Sequence, residues 1–270
     1  MKRFYVMLAM ALLPLTYSCE KGVEQPGALE LKASILQLPT KSYLGDEEGG
    51  VFPVLWAEGD VISVNGTLTN PLTAAAAGVS EAEFRVIDAS LVAPYHLLYP
   101  GEAGVSNSVV LDGILPPMYA SGSDTGENFT FHQAAVGLRF SISGELPLAS
   151  VTLSAPGGEK IIGRFGISFT DGTLTPSSAS SEWGKIYSTP ADLSEPETFT
   201  LFIAPGSFSE GLVITAENPS GDSVTWLFAK GCSLLAGKLY TLPNLTFSRP
   251  FGGWYVLLED MTEDDVTFEL

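Results

Sequence analysis

The residues that could do chemistry are few. Two Cys and two His occur among 270 residues, at Cys19, Cys232, His96 and His132. Nucleophilic hydrolysis needs a Ser or Cys beside a His that an acid orients, and neither His lies near a Gly-x-Ser-x-Gly turn. His96 falls in the apolar run Tyr95–Tyr99 before Pro100, and His132 follows Phe131 at the start of another run. Both read as packing or strand-end residues. The chain has no His-Glu-x-x-His pair, no Gly-Lys-Ser/Thr phosphate loop and no Gly-x-Gly-x-x-Gly after a strand. The acidic runs Asp46-Glu47-Glu48 and Glu263-Asp264-Asp265 do not fit a calcium loop and read as solvated faces. A carboxylate pair at the right separation could hydrolyse glycosides, which leaves a glycan-active enzyme as the weakest reading. No catalytic residue, metal ligand or cofactor is expected.

Cys19 is different. Residues 1–18 carry a basic start (Lys2, Arg3), an apolar stretch from Phe4 to Leu15, and then Thr16-Tyr17-Ser18. That is the pattern of a secretory signal, too short and wrongly flanked for a spanning helix. Ser18 directly before Cys19 resembles a bacterial lipobox, where the signal is cleaved and the Cys becomes the acylated, palmitate-bearing first residue. Thr16 stands where Leu is usual, with Leu15 one place earlier. An ordinary signal peptide with an incidental Cys is the alternative. If Cys19 is acylated, Cys232 has no disulfide partner. Its neighbours Trp226-Leu227-Phe228 and Leu234-Leu235 make it read as a small buried hydrophobe.

Thirteen Lys plus Arg stand against 31 Asp plus Glu, a formal charge of −18. Phosphate neutralisation requires clustered Lys and Arg, so the balance argues against a nucleic-acid partner. Loss of Lys2 and Arg3 with the signal makes the mature chain more acidic still. With 45% hydrophobic and 16% charged residues there is ample material for a core. The 28 Gly and 18 Pro break long helices and suit short strands joined by turns.

Short runs with period-two patterning follow one another along the chain. They include Leu29–Leu38, Val61–Val64, Glu83–Ile87, Tyr95–Tyr99, Ala135–Ser143, Ser150–Ser154, Gly163–Phe169, Thr198–Ile203, Gly211–Thr215 and Ser223–Phe228. Only Pro71–Glu83, with its Ala residues, leans towards helix. Strands without regularly alternating helices predict an all-β fold of two tandem antiparallel β-sandwich domains. The polar, Gly-rich stretch Tyr119–Asn128 is the expected boundary. The expected organisation is therefore a signal over 1–18, a tether over 19–28, domains over 29–127 and 128–247, and a tail over 248–270.

Several landmarks fall in a recognisable order. They are Pro39-Thr40-Lys41-Ser42, Trp56-Ala57-Glu58-Gly59-Asp60 leading into Val61–Val64, His96–Pro100, Ile114–Pro117, Asn128–Ile142 and the closing Ala236-Gly237-Lys238-Leu239-Tyr240. Together they resemble the fimbrillin family, the pilin-like lipoproteins of type V pili, across residues 29–247. The resemblance implies two transthyretin-like Greek-key sandwiches and an outer-membrane, surface-exposed lipoprotein that assembles with other pilus subunits. It also implies that a trypsin-like protease removes the first strand, and that a strand from the next subunit fills the groove. Leu29–Leu38 is then the candidate first strand and Lys41 the candidate processing residue. The family's major subunits are processed after Arg, and this chain has no Arg between Arg3 and Arg85. Either cleavage follows Lys41, or the subunit stays uncut and lipidated, as anchors in the family do. A tip or accessory role is a further option.

The tail carries Gly252-Gly253, the apolar run Trp254–Leu258, and Val266, Phe268 and Leu270 at strand spacing. Residues 250–270 hold six acids and no base. An apolar free strand is an aggregation hazard unless covered. Two readings stay open: Trp254, Val256, Leu258, Val266, Phe268 and Leu270 form a donor strand for another subunit, or they pack on their own domain.

The leading expectation is a non-enzymatic surface lipoprotein of a pilus, contributing to adhesion. The rival is a surface module that binds a glycan or another host or bacterial surface ligand without polymerising. An exposed aromatic platform would favour the rival, and the candidates are Trp56, Trp183, Trp226 and Trp254.

Overall fold

A computed structural model describes residues 28–35, 43–44, 54–88, 90–124, 128–145, 147–187, 192–249, 252, 254–256 and 262–263. The period-two patterning has a direct structural counterpart. Glu81–Ile87 and Asn128–Gln133 each alternate outward and buried positions residue by residue, because successive side chains of a strand point to opposite faces.

The first half contains β1 (Ala28–Ile35), β2 (Tyr43–Leu44), β3 (Val54–Leu55), β4 (Ser63–Val64), β5 (Thr67–Leu68), β6 (Glu81–Ile87), β7 (Tyr95–Tyr99), β8 (Ser108–Leu111), β9 (Met118–Gly122) and β10 (Asn128–Gln133). The second contains β11 (Val136–Gly144), β12 (Ser150–Ser154), β13 (Ile162–Ile167), β14 (Leu174–Ser181), β15 (Trp183–Tyr187), β16 (Glu197–Ile203), β17 (Gly206–Phe208), β18 (Leu212–Glu217) and β19 (Ser223–Phe228). It continues with β20 (Cys232–Leu234), β21 (Leu239–Thr241), β22 (Leu245–Phe247), β23 (Trp254–Val256) and β24 (Thr262–Glu263). The fold is all-β. The helical leaning of Pro71–Glu83 yields one 3-10 turn, Ala74–Ala76, which buries nothing. Without an apolar stripe that segment has no face to dock, and from Glu81 the inward Ala82, Phe84 and Val86 draw the chain into β6.

Seven strands of the first half form one sheet in the order β5-β4-β7-β9-β10-β1-β6. Its two ends approach one another. Asn70 N–H donates to the Arg85 carbonyl at 2.7 Å, and the Thr67 hydroxyl donates to Asp88 at 2.9 Å. The sheet thus wraps around a core centred on Trp56, which is fully buried. The rings of Phe84, Tyr99 and Phe131 meet the indole edge-on, at 4.9, 5.5 and 5.5 Å between centroids, the arrangement the aromatic quadrupole favours. The Gly59-Asp60 turn works as its sequence suggests. Gly59 takes φ +86°, Asp60 accepts the Ala57 N–H at 2.7 Å, and its other oxygen accepts the Tyr99 hydroxyl at 3.0 Å.

The second half has two facing sheets, β16-β11-β21-β24 with β22 also on β11, and β15-β12-β18-β19-β23. Leu138, Phe140, Leu201, Ile214, Trp226 and Phe247 belong to the single buried cluster between them. Gly144 is needed where β11 and β22 run side by side, because a Cβ there would collide with the Phe247 carbonyl. In the closing strand Tyr240 is buried while its hydroxyl accepts the Leu235 N–H.

Two features differ from the sequence expectation. β9 and β10 flank the expected boundary at 127/128, yet they pair with each other, His132 against Tyr119 and Gln133 against Met118. The Gly-rich stretch between them is a hairpin connection within one sheet, a use that composition does not distinguish from a linker. The halves are joined further by β8, which pairs with β13, and by a buried cluster that takes Leu98 and Leu111 from one half and Phe165 and Phe202 from the other. Cys232 is exposed rather than buried. It follows the turn at Gly231, and Leu234 takes the inward place on β20.

Candidate strand-exchange site

β1 is an interior strand of the seven-stranded sheet. On one side it pairs antiparallel with β6 over seven residues, Ala28↔Ile87 to Ser34↔Glu81. On the other it pairs parallel with β10, Lys32↔Asn128 to Ile35↔Phe131. Every other pair along this sheet is antiparallel. Leu31 and Ala33 are fully buried, and Leu31 lies opposite Phe84. On the outer face Glu30 stands opposite Arg85 and Lys32 opposite Glu83, with Lys32 Nζ 3.8 Å from Glu83. Exposed pairs of this kind set register more than they add stability. Removing β1 would bare backbone donors and acceptors on β6 and β10 and open a slot beside Phe84, Phe129 and Phe131.

The expected first strand, Leu29–Leu38, thus corresponds to β1. Lys41 and Cys19 lie outside the described residues. Arg85 sits in the middle of β6, paired on both faces of the argument: its residue is in register with Glu30 and its carbonyl is bonded to Asn70.

Part of the tail is docked on its own second half. β23 runs parallel to β19, Thr225↔Trp254 to Leu227↔Val256, and the Gly252 N–H donates to the Ser223 carbonyl at 2.6 Å. β24 pairs with β21 through Tyr240↔Glu263 and Thr241↔Thr262. One short segment therefore occupies an edge of each facing sheet. Trp254 and Val256 belong to β23; Leu258, Val266, Phe268 and Leu270 lie outside the described residues.

The titratable residues are placed by packing. His96 stacks on Phe169 at 4.1 Å, and His132 lies 5.7 Å from the Tyr119 ring, both at the junction of the halves. Burial, and then the nearby Asp171, push the Tyr119 hydroxyl above its usual range. Hydrogen bonds from Ser168 and Thr173 hold Asp171 below the ordinary carboxylate range. Among the described residues no group of three or more His, Cys, Asp or Glu could hold a metal ion, and no helix is long and apolar enough to cross a membrane. Trp56 and Trp226 are buried, whereas Trp183 is 57% exposed. The sequence marked all four Trp alike, since exposure at a strand corner leaves no local signature. Nor did it show that β6 and β10 flank β1, because pairing between residues so distant in the chain has no local signal.

No family model and no curated protein matches the chain. Solved structures do. A candidate cell adhesion protein from Bacteroides ovatus aligns with a TM-score of 0.53 at 13% identity, covering 86% of this chain and 98% of that one. The two share a fold. A candidate cell adhesion protein from Bacteroides uniformis gives 0.48 at 16% identity, covering 83% and 95%. The tip fimbrial protein Mfa3 from Porphyromonas gingivalis, with a C-terminal truncation, gives 0.38 at 9% identity, covering 83% and 96%. The shared all-β architecture spans almost the whole of the Bacteroides ovatus chain.

Proposed function

We propose that this protein is a non-enzymatic, cell-surface subunit or anchor of a fimbrial assembly, tethered to the outer membrane through lipid on Cys19 and contributing to adhesion. Its partners are other pilus subunits, joined by strand exchange. The observation that carries the reading is the position of β1, a strand near the start of the chain bonded on both sides within a sheet. An incoming strand could replace its main-chain hydrogen bonds one for one, so β-strand addition is the matching mode of recognition. The fold shared with a candidate cell adhesion protein supports the same reading.

Cleavage after Lys41 would free β1 to leave. Exchange itself substitutes like for like, so the driving force must come from apolar side chains that fill the slot better than Leu31 and Ala33 do. The tail supplies candidates in Trp254, Val256, Leu258, Val266, Phe268 and Leu270. Its present ladders, three residues on β19 and two on β21, are short enough to release. Without cleavage the chain keeps its lipid and its own β1, as an anchor would.

Trypsin treatment followed by a native gel and electron microscopy tests this. A ladder or fibres should appear after cleavage at Lys41 and should be lost on deletion of residues 249–270. Release of β1 without any self-association, alone or with other subunits of the same surface, would refute strand exchange.

A further inference from the structure

Trp183 is the exposed Trp among the three whose side chains are described. A large indole left in water is a common mark of a binding surface, and here its orientation is built. The chain leaves β14, turns at Glu182 and enters β15, switching from one sheet to another. Gly184 is pressed against Ile162, where a Cβ would collide with the Ile162 side chain. That fixes the inward face of β15, and Trp183 takes the outward place opposite Ser154 of β12.

The groups around the indole are polar and of both kinds. Glu182, next in the chain, is paired with Lys160 from the β12–β13 loop. That loop is held to the corner by two backbone bonds, Ala155 N–H to the Glu182 carbonyl and Ile161 N–H to the Ser181 carbonyl, each 2.8 Å. Glu159 of the same loop has a buried carboxylate oxygen with no hydrogen-bond partner among the described residues. Such an oxygen is costly to leave unsatisfied.

We propose that this corner binds a neutral saccharide. The C–H face of one sugar ring stacks on Trp183, while its hydroxyls donate to the Glu182 and Glu159 carboxylates and accept from the Lys160 ammonium. Sugar hydroxyls both donate and accept, so they need acceptors and a donor close to one apolar face. Charge selects the neutral class. The chain carries −18 and Lys160 is already matched by Glu182, so a sulfated or sialylated glycan meets repulsion. This site does not depend on strand exchange and is complete in one copy of the chain.

Saturation-transfer NMR on the mature chain tests the site, with cellohexaose, N-acetylchitohexaose and lacto-N-neotetraose as neutral probes and 3′-sialyllactose as the charged one. At least one neutral probe should give ring C–H signals, and the sialylated probe none. Trp183→Ala should abolish the signal, Trp183→Phe should retain it, and Glu182→Gln should weaken affinity about tenfold. No signal from any neutral probe, or a signal that survives Trp183→Ala, overturns the proposal. So does Trp183-dependent self-association in sedimentation without saccharide binding, which would assign the surface to a second copy. An unchanged melting temperature for the Trp183 variants separates lost binding from lost folding.

Discussion

Arg164 Nη2 lies 2.9 and 2.8 Å from the two carboxylate oxygens of Glu102, tying β13 of the second half to a loop of the first. Beside this ion pair Phe165 is buried in the cluster that both halves build. The two contacts should weigh very differently. Arg164 and Glu102 are each a third or more exposed, so Arg164→Ala should cost no more than about 1 kcal/mol. Phe165→Ala removes a buried ring and should cost about 3–5 kcal/mol. It should also separate the melting of the two halves in calorimetry; a single undisturbed transition would show that the cluster does not couple them.

Trp56 and Trp183 provide a matched contrast. Trp56→Ala opens the centre of the first core and should lower stability by about 3–5 kcal/mol in denaturant unfolding. Trp183→Ala should fall within about 0.5 kcal/mol of the unmodified chain. Equal effects would mean that the burial of the two indoles is not as described.

Gly144 answers to backbone proximity. A Cβ at this position meets the Phe247 carbonyl, a main-chain atom that cannot swing aside, so β22 would have to shift along β11. Gly144→Ala should cost about 1–3 kcal/mol, and amide exchange should rise at Leu245–Phe247 before it rises elsewhere on β11.

Acid should weaken the fold through three exposed carboxylates. Ser90, through its hydroxyl and its backbone N–H, and then Thr67 hold Asp88 below the ordinary range. Lys160 does the same for Glu182 by hydrogen bond and charge, as Ser168 and Thr173 do for Asp171. A carboxyl whose folded pKa is depressed stabilises the fold above its unfolded pKa of about 4. That contribution disappears as pH falls through the lower folded value. The melting temperature should therefore be flat above about pH 5 and decline below about pH 4. Asp88→Asn should make the decline shallower, and an acid limb identical to that of the unmodified chain would exclude Asp88 as a contributor.

The sequence by itself determined the strands and their faces. Alternation at Phe84 and Val86, or at Phe129 and Phe131, is a local property, because side chains of a strand alternate whatever the strand pairs with. It likewise marked the Gly59-Asp60 turn and the buried ring of Tyr240, where residue type and neighbours are sufficient. It did not determine which strands meet. That β1 lies between β6 and β10, that β8 crosses to β13, and that β9 and β10 are one hairpin are pairings between distant segments, chosen by the packing of the whole core. Exposure followed the same division. Cys232 sits among apolar neighbours and is nonetheless exposed, and Trp183 lies outside while Trp56 lies at the centre of a core. Burial is a property of the assembled surface, and three-dimensional packing alone decides which apolar residues run out of core to fill.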